Sequence, residues 1–196
     1  ARKEFASLCC DVLVVGDEII AVSFDQKHAS LFDGNTTFTF LIPGLDISSW
    51  TDVGDAVENV DQTFESWKAH IKDVKVIDRE ELVNFQPAWA PQYDERLAVG
   101  EDGIYVPATS KEQVLAMAEM ARKHAEPVGR RKQKLIWLNT WNCWAETTTV
   151  EPTANSGPKY PAGNYQFEML EVVRDVFGFE TPACEALTSD RDGDGY

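Results

Sequence analysis

Three tryptophans, Trp137, Trp141 and Trp144, fall within one short stretch, LIWLNTWNCWAETTTVEP, beside Asn142, Glu146 and Glu151. A sugar presents flat apolar C–H faces and a rim of hydroxyls. An aromatic plate stacks on the faces, and carboxylates and amides bind the rim. Cleaving a glycosidic bond also needs a carboxylic acid to protonate the leaving oxygen, and usually a second carboxylate as nucleophile or base. Glu146 is the candidate acid, because neighbouring tryptophans would desolvate it and favour its protonated form. Trp137 is expected in the core. Trp141, Asn142, Trp144 and Glu151 are expected to face substrate.

A second constellation closes the chain, DRDGDGY from Asp190 to Tyr196. Oxygen ligands at Asp190, Asp192 and Asp194 with a following glycine form the first half of a calcium loop. The acidic residue that would complete it is not in the sequence. Calcium at this tail is therefore an expectation for half a site, and no cofactor is expected for catalysis. His28, His70 and His124 are scattered, and the latter two are expected on helix surfaces. No HExxH, GxSxG or glycine-rich phosphate loop is present, so zinc proteases, serine hydrolases and nucleotide enzymes have no support.

The elements that carry these residues read as alternating strands and helices. Val12–Val15 and Ile19–Phe24 flank Gly16-Asp17-Glu18 and predict a hairpin or tight strand connection. Thr36–Ile42 is rich in β-formers and ends at Pro43-Gly44. Val57, Val60, Phe64, Trp67 and Ile71 are spaced as one helix face. Val83–Trp89 reads as a strand entering a loop. Ser110 and Gln113 predict a capping box for a helix whose inner face is Val114, Met117, Ala118 and Ala121. Arg130–Lys134 reads as a solvated connection. Leu135–Thr140 reads as a parallel strand buried on both faces. A helix from about Asn164 to Phe177 follows, with Met169, Val172, Val173 and Val176 inward.

This alternation predicts an α/β fold with a parallel sheet. The long loops follow the strands, where a (β/α)8 TIM-type barrel carries its active site. A full barrel takes about 250 residues, and this chain has 196. The expectation is the C-terminal half of a barrel, or a reduced one, over residues 1–180, with an acidic tail over 181–196. A further domain or chain would complete the barrel.

The net charge is −15 and the pI about 4.5, which disfavours nucleic acid and anionic membrane surfaces. Carbohydrate and divalent cations remain compatible partners. No apolar run approaches the roughly 18–20 residues of a membrane helix. No signal peptide is visible at Ala1, and the chain reads as starting inside a longer precursor. Cys9, Cys10, Cys143 and Cys184 match no zinc spacing. A disulfide from Cys9 or Cys10 to Cys184 and four buried thiols both stay open.

The segment LNTWNCWAETTTVEP followed by NYQFEMLEVVRDVFG resembles the closing segment of glycoside hydrolase family 99 and its WbsX-like relatives. There, a loop of the form WNEWxEGTxxEP is followed by a helix with a Y-x-x-L-E-like stretch, roughly filled here by Tyr165, Leu170 and Glu171. Upstream, NFQPAWAPQYDER resembles the family's PxxxPGYDxR loop through Pro87, Pro91, Tyr93, Asp94 and Arg96, with Gln92 where glycine is usual. The likeness runs from Val74 to Phe177, and none is apparent before Val57. It implies that Glu146 is the general acid/base and that Glu151, Tyr93 and Asp94 line the substrate. It also implies that the sugar's own 2-hydroxyl attacks, helped by a glutamate base three residues before the acid. That position is Cys143 here, and a neutral thiol, ordinarily titrating near about 8.5, is a poor base. Glycine is also replaced after Glu146, by Thr147. Asp94 and Glu95 are alternative carboxylates, although a DxR pair more commonly forms a loop-shaping ion pair.

Three readings follow. The first is a glycoside hydrolase acting on an α-linked, mannose-type polysaccharide or glycan, extracellular or at the cell surface. The second is a carbohydrate-binding or surface-structural relative that lost its base at Cys143. The third makes the acidic tail the working part, with the barrel a passenger.

Overall fold

The computed structural model describes residues 13, 15–17, 26–36, 50–129, 132–153, 159–160 and 165–178. The first strand, β1 (Val15–Asp17), is followed by a short helix, α1 (Gln26–Ala29), and by β2 (Gly34–Thr36). β1 and β2 pair in parallel, so Gly16-Asp17 sits inside a strand and is not the predicted turn. Gly16 is required there by close approach: a Cβ would lie 2.5 Å from the Phe32 ring and 2.8 Å from Asn35 Oδ1. The predicted strand at Thr36–Ile42 corresponds to β2 only at Thr36. The rest of it, like Ile19–Phe24, lies outside the described residues.

Helix α2 (Val53–Ile71) starts four residues before the spacing predicted. Asp52, in an extended conformation, caps it by accepting from Gly54 N at 2.7 Å and Asp55 N at 3.2 Å. Val53, Ala56, Val60, Phe64 and Ile71 form its buried stripe. After it come β3 (Asn84–Phe85) and β4 (Ala88–Trp89), which the sequence read as one strand. Pro87 has no N–H to give to a ladder, and the chain changes partners there. Before it, Gln86 N donates to Asn35 O at 2.8 Å; after it, Pro87 O accepts from Trp137 N at 2.9 Å.

β5 (Tyr93–Asp94), α3 (Arg96–Val99) and β6 (Tyr105–Val106) form a small excursion closed by antiparallel β5–β6 pairing. Helix α4 (Lys111–His124) is capped by Ser110 Oγ, which accepts from Gln113 N at 3.4 Å. Gln113 Oε1 reaches back to Thr109 N at 2.8 Å, one residue earlier than a standard capping box. The predicted inner face is buried. β7 (Pro127–Val128) and β8 (Gln133–Lys134) pair antiparallel, so the basic connection is a hairpin.

β9 (Trp137–Leu138) pairs parallel with β4, and α5 (Glu168–Phe177) closes the described chain. α5 begins later than predicted and buries Met169, Val172 and Val176. Four parallel segments thus lie side by side, β1, β2, the β3–β4 run and β9. Helix α4 packs against both α2 and α5, with α2 on β3 and α4 on β4. Phe64, Trp67 and Phe85 meet edge-on or tilted at 5.0–6.2 Å, and Phe64 and Phe85 have no exposed surface. Burying a phenylalanine contributes roughly 1.5–3 kcal/mol.

Two burial expectations are overturned. His124 is not on the surface: it is fully buried between α4 and α2, edge-on to Phe64, with Nε2 2.6 Å from Asp61 Oδ1. The α2 carboxylate of Asp61 partners Nε2, and Nδ1 lies 3.5 Å from Glu65 Oε1, so two α2 carboxylates face the ring in its core position. Trp137 is 39% exposed, and the Leu135–Thr140 run is only partly buried. The reason is that β9 has β4 as its one strand neighbour among the described residues. A groove of about 750 Å³ runs beside it, lined by Ile136, Leu138, Val173, Val176 and Phe177.

Candidate functional site

Parallel pairing in register, Ala88 with Trp137 and Trp89 with Leu138, makes β4 and β9 end at the same edge. The segments that follow, Ala90–Asp94 and Asn139–Glu151, therefore leave that edge side by side. Asp94 N donates to Glu146 O at 2.8 Å and ties the two together.

The second segment is a compact loop. Thr140 N donates to Thr148 O at 3.0 Å, and Trp141 O accepts from both Val150 N and Glu151 N. Thr140 Oγ1 holds Cys143 N at 2.9 Å. Thr148, Thr149 and Val150 are buried, while Trp141 and Trp144 stand half exposed. Trp144 Nε1 donates to Glu151 Oε1 at 2.8 Å, which orients ring and carboxylate together. Asn142 is exposed beside them.

Glu146 is half-buried. The Cys143 thiol donates to its Oε2 at 3.7 Å, a weak contact, and is not in a disulfide. The residue at the position where a base is expected thus reaches Glu146, the expected acid. Thr147 follows with φ 48°, a left-handed conformation that glycine adopts without strain. This gives a physical reason for the glycine in the loop pattern that Thr147 replaces.

On the first segment, Tyr93 is buried and its hydroxyl donates to Glu95 Oε2 at 3.0 Å. Burial foremost, then Glu95 and Glu146, hold the phenol protonated far above its ordinary range. Asp94 is committed to Arg96 through two bonds of 2.8 Å, which hold its carboxyl below the usual range. Arg96 in turn lies 3.5 Å over the Tyr105 ring. Asp94 therefore sits in the loop-shaping ion pair that a DxR sequence suggests.

Gln92 was legible only as a missing glycine. It is buried, and its side chain joins three segments: Nε2 donates to Thr147 O at 3.2 Å, and Oε1 accepts from Ala108 N at 3.2 Å and Tyr165 OH at 2.6 Å. Glu95 is the other residue whose place the sequence left open, with Oε1 accepting from Ile104 N at 2.9 Å. Asp190, Asp192 and Asp194 lie outside the described residues, as do Cys9, Cys10 and Cys184. Among the described residues, no group of three or more acidic, histidine or cysteine side chains is placed to hold a metal. No described helix is long and apolar enough to cross a membrane.

The family described as Glycosyltransferase WbsX matches residues 21–162, which include β2 to β9 and both site segments. The chain belongs to the WbsX family. The match begins well before Val57, where the sequence alone offered no likeness. No curated protein matches the chain. A solved "Glycoside hydrolase-like protein" is 15% identical with a TM-score of 0.50, over 74% of this chain and 37% of that one. The GH99 endo-alpha-mannosidase from Bacteriodes thetaiotaomicron is 15% identical with a TM-score of 0.48, over 85% of this chain and 47% of that one. The WbsX-family chain thus spans less than half the length of either. At such identity the likeness to the first concerns the fold alone.

Proposed function

We propose that this WbsX-family chain carries the acid half of a glycan-processing site, with Glu146 as general acid/base on a glycosidic bond. The observation that carries the reading is the pairing of two loops at one strand edge. One brings Glu146 with the half-exposed plates Trp141 and Trp144, and the other brings Tyr93 and Glu95. Protonating a leaving sugar oxygen serves hydrolysis and transfer alike; what differs is whether water or a sugar hydroxyl receives the glycosyl group. We favour hydrolysis of an α-mannoside-type glycan on the sequence resemblance. For the fold, we read the parallel strands and packed helices as part of a (β/α) barrel. The single strand neighbour of β9 among the described residues and the groove beside it suit a further strand and helix from another domain or chain. An extracellular or cell-surface location, and calcium at Asp190, Asp192 and Asp194, belong to the same proposal on sequence pattern alone.

The test is Glu146→Gln assayed against a panel of α-mannans, with products analysed with and without an added sugar acceptor. Loss of at least about 100-fold in rate is expected; an unchanged rate sinks the reading. A second reading, a carbohydrate-binding protein without turnover, draws on the thiol 3.7 Å from the acid. Activity that appears or rises strongly in Cys143→Glu favours it.

A further inference from the structure

The groove beside β9 carries a charge opposite to that of the chain. The sequence has 33 acidic residues against 18 lysines and arginines, yet the described residues lining the groove include Arg122, Lys132 and Lys134 and no carboxylate. All three are exposed, and none forms an ion pair with a described carboxylate. Lys123, next to Arg122 but outside the groove, does: its Nζ lies 2.8 Å from Asp61 Oδ1.

Trp89 forms part of the groove wall, is 1% exposed and meets Phe177 edge-on at 5.6 Å. Its Nε1 is buried without a hydrogen-bond partner. An indole nitrogen can only donate, and a buried donor left unmatched is destabilising. The strand beside it is open as well. Trp137 N and Asn139 N donate to Pro87 O and Trp89 O. The N–H groups of Ile136 and Leu138 alternate to the other edge, where no strand lies among the described residues.

The groove therefore offers an apolar floor, three cations and unmatched N–H donors. A polypeptide supplies the complement of each: apolar side chains, carboxylates and backbone carbonyls. Resting on the reading that a further strand and helix cover this groove, we propose that the covering segment is acidic. Its helix lays an apolar stripe against Val176 and Phe177, and its flanking carboxylates meet Arg122, Lys132 and Lys134.

The experiment titrates the whole chain with two synthetic helical peptides. They share one leucine stripe and differ only in flanking glutamates or lysines. Binding is read by fluorescence anisotropy of the labelled peptide and by nitrogen-15 NMR at the Trp89 indole, assigned by its loss in Trp89→Phe. At low salt the glutamate peptide should bind about tenfold more tightly than its lysine twin, an advantage that fades as salt rises. Lys132→Glu combined with Lys134→Glu should invert the preference, and both sites are exposed, so the anisotropy arm stands alone if Trp89→Phe does not fold. Equal binding of the twins overturns the acidic preference and leaves a covering segment standing. Binding of neither removes both. A dimer of the chain in sedimentation velocity that is lost in the double variant makes a second copy the occupant and overturns the proposal.

Discussion

Thr147→Gly should stabilise the chain. The φ of Thr147 is 48°, where a Cβ crowds the following carbonyl at roughly 1–2 kcal/mol for a non-glycine residue. Its hydroxyl is buried with no hydrogen-bond partner, which costs roughly 1–3 kcal/mol more. Glycine gives back roughly 0.5–1 kcal/mol through the greater freedom of its unfolded chain. The low ends of the first two against the high end of the third leave about 1 kcal/mol in favour of glycine. The hydrogen bonds to Trp144 O and from Gln92 use the Thr147 backbone and survive the change. At roughly 2–4 °C per kcal/mol for a chain of this size, the Tm should rise by about 3 °C in scanning calorimetry. Thr147→Ala removes the hydroxyl but keeps the left-handed Cβ, so it should fall between the two. A lower Tm for glycine than for threonine, or glycine no better than alanine, refutes the reasoning.

Gln92→Gly restores the residue usual in the loop pattern, yet here it removes the link to Thr147, Ala108 and Tyr165. A loss of roughly 2–4 kcal/mol is expected in urea unfolding. His124→Ala leaves a cavity beside Phe64 and deprives Asp61 of a partner; roughly 2–4 kcal/mol should be lost by the same assay. Asp94 has its carboxyl depressed by Arg96, so its contribution is present above the unfolded value of about 3.9 and fades as pH falls through the folded one. Asp94→Asn should therefore flatten the acid side of the stability curve, read as Tm between pH 6 and pH 2.

Helix faces were legible because their spacing is a direct record of burial. Val60, Phe64 and Ile71, and Val114, Met117, Ala118 and Ala121, lie where periodicity put them. His124 was misread because one of its ring nitrogens is partnered by Asp61, 63 positions away. The strand at Val83–Trp89 was read whole because composition does not reveal that the chain changes neighbours at Pro87. At the site, Trp141, Trp144 and Glu146 stood out as residue types that solvation alone explains poorly. Gln92 and Glu95 did not, since their roles depend on Tyr165, Ala108, Tyr93 and Ile104 meeting them across the fold.

The β5–α3–β6 excursion has a wider consequence. Its base is held by β5–β6 pairing and by the Arg96 stack on Tyr105. No residue of α3 at its tip is buried, and Leu97 and Val99 are mostly exposed. The side chains at Leu97 and Val99 can therefore change without disturbing the strand ends below, whereas Gly100, at φ 101°, and Gly103, where a Cβ would lie 3.0 Å from Glu95 Cγ, are held to glycine. The excursion thus separates replaceable side chains from fixed backbone within some ten residues.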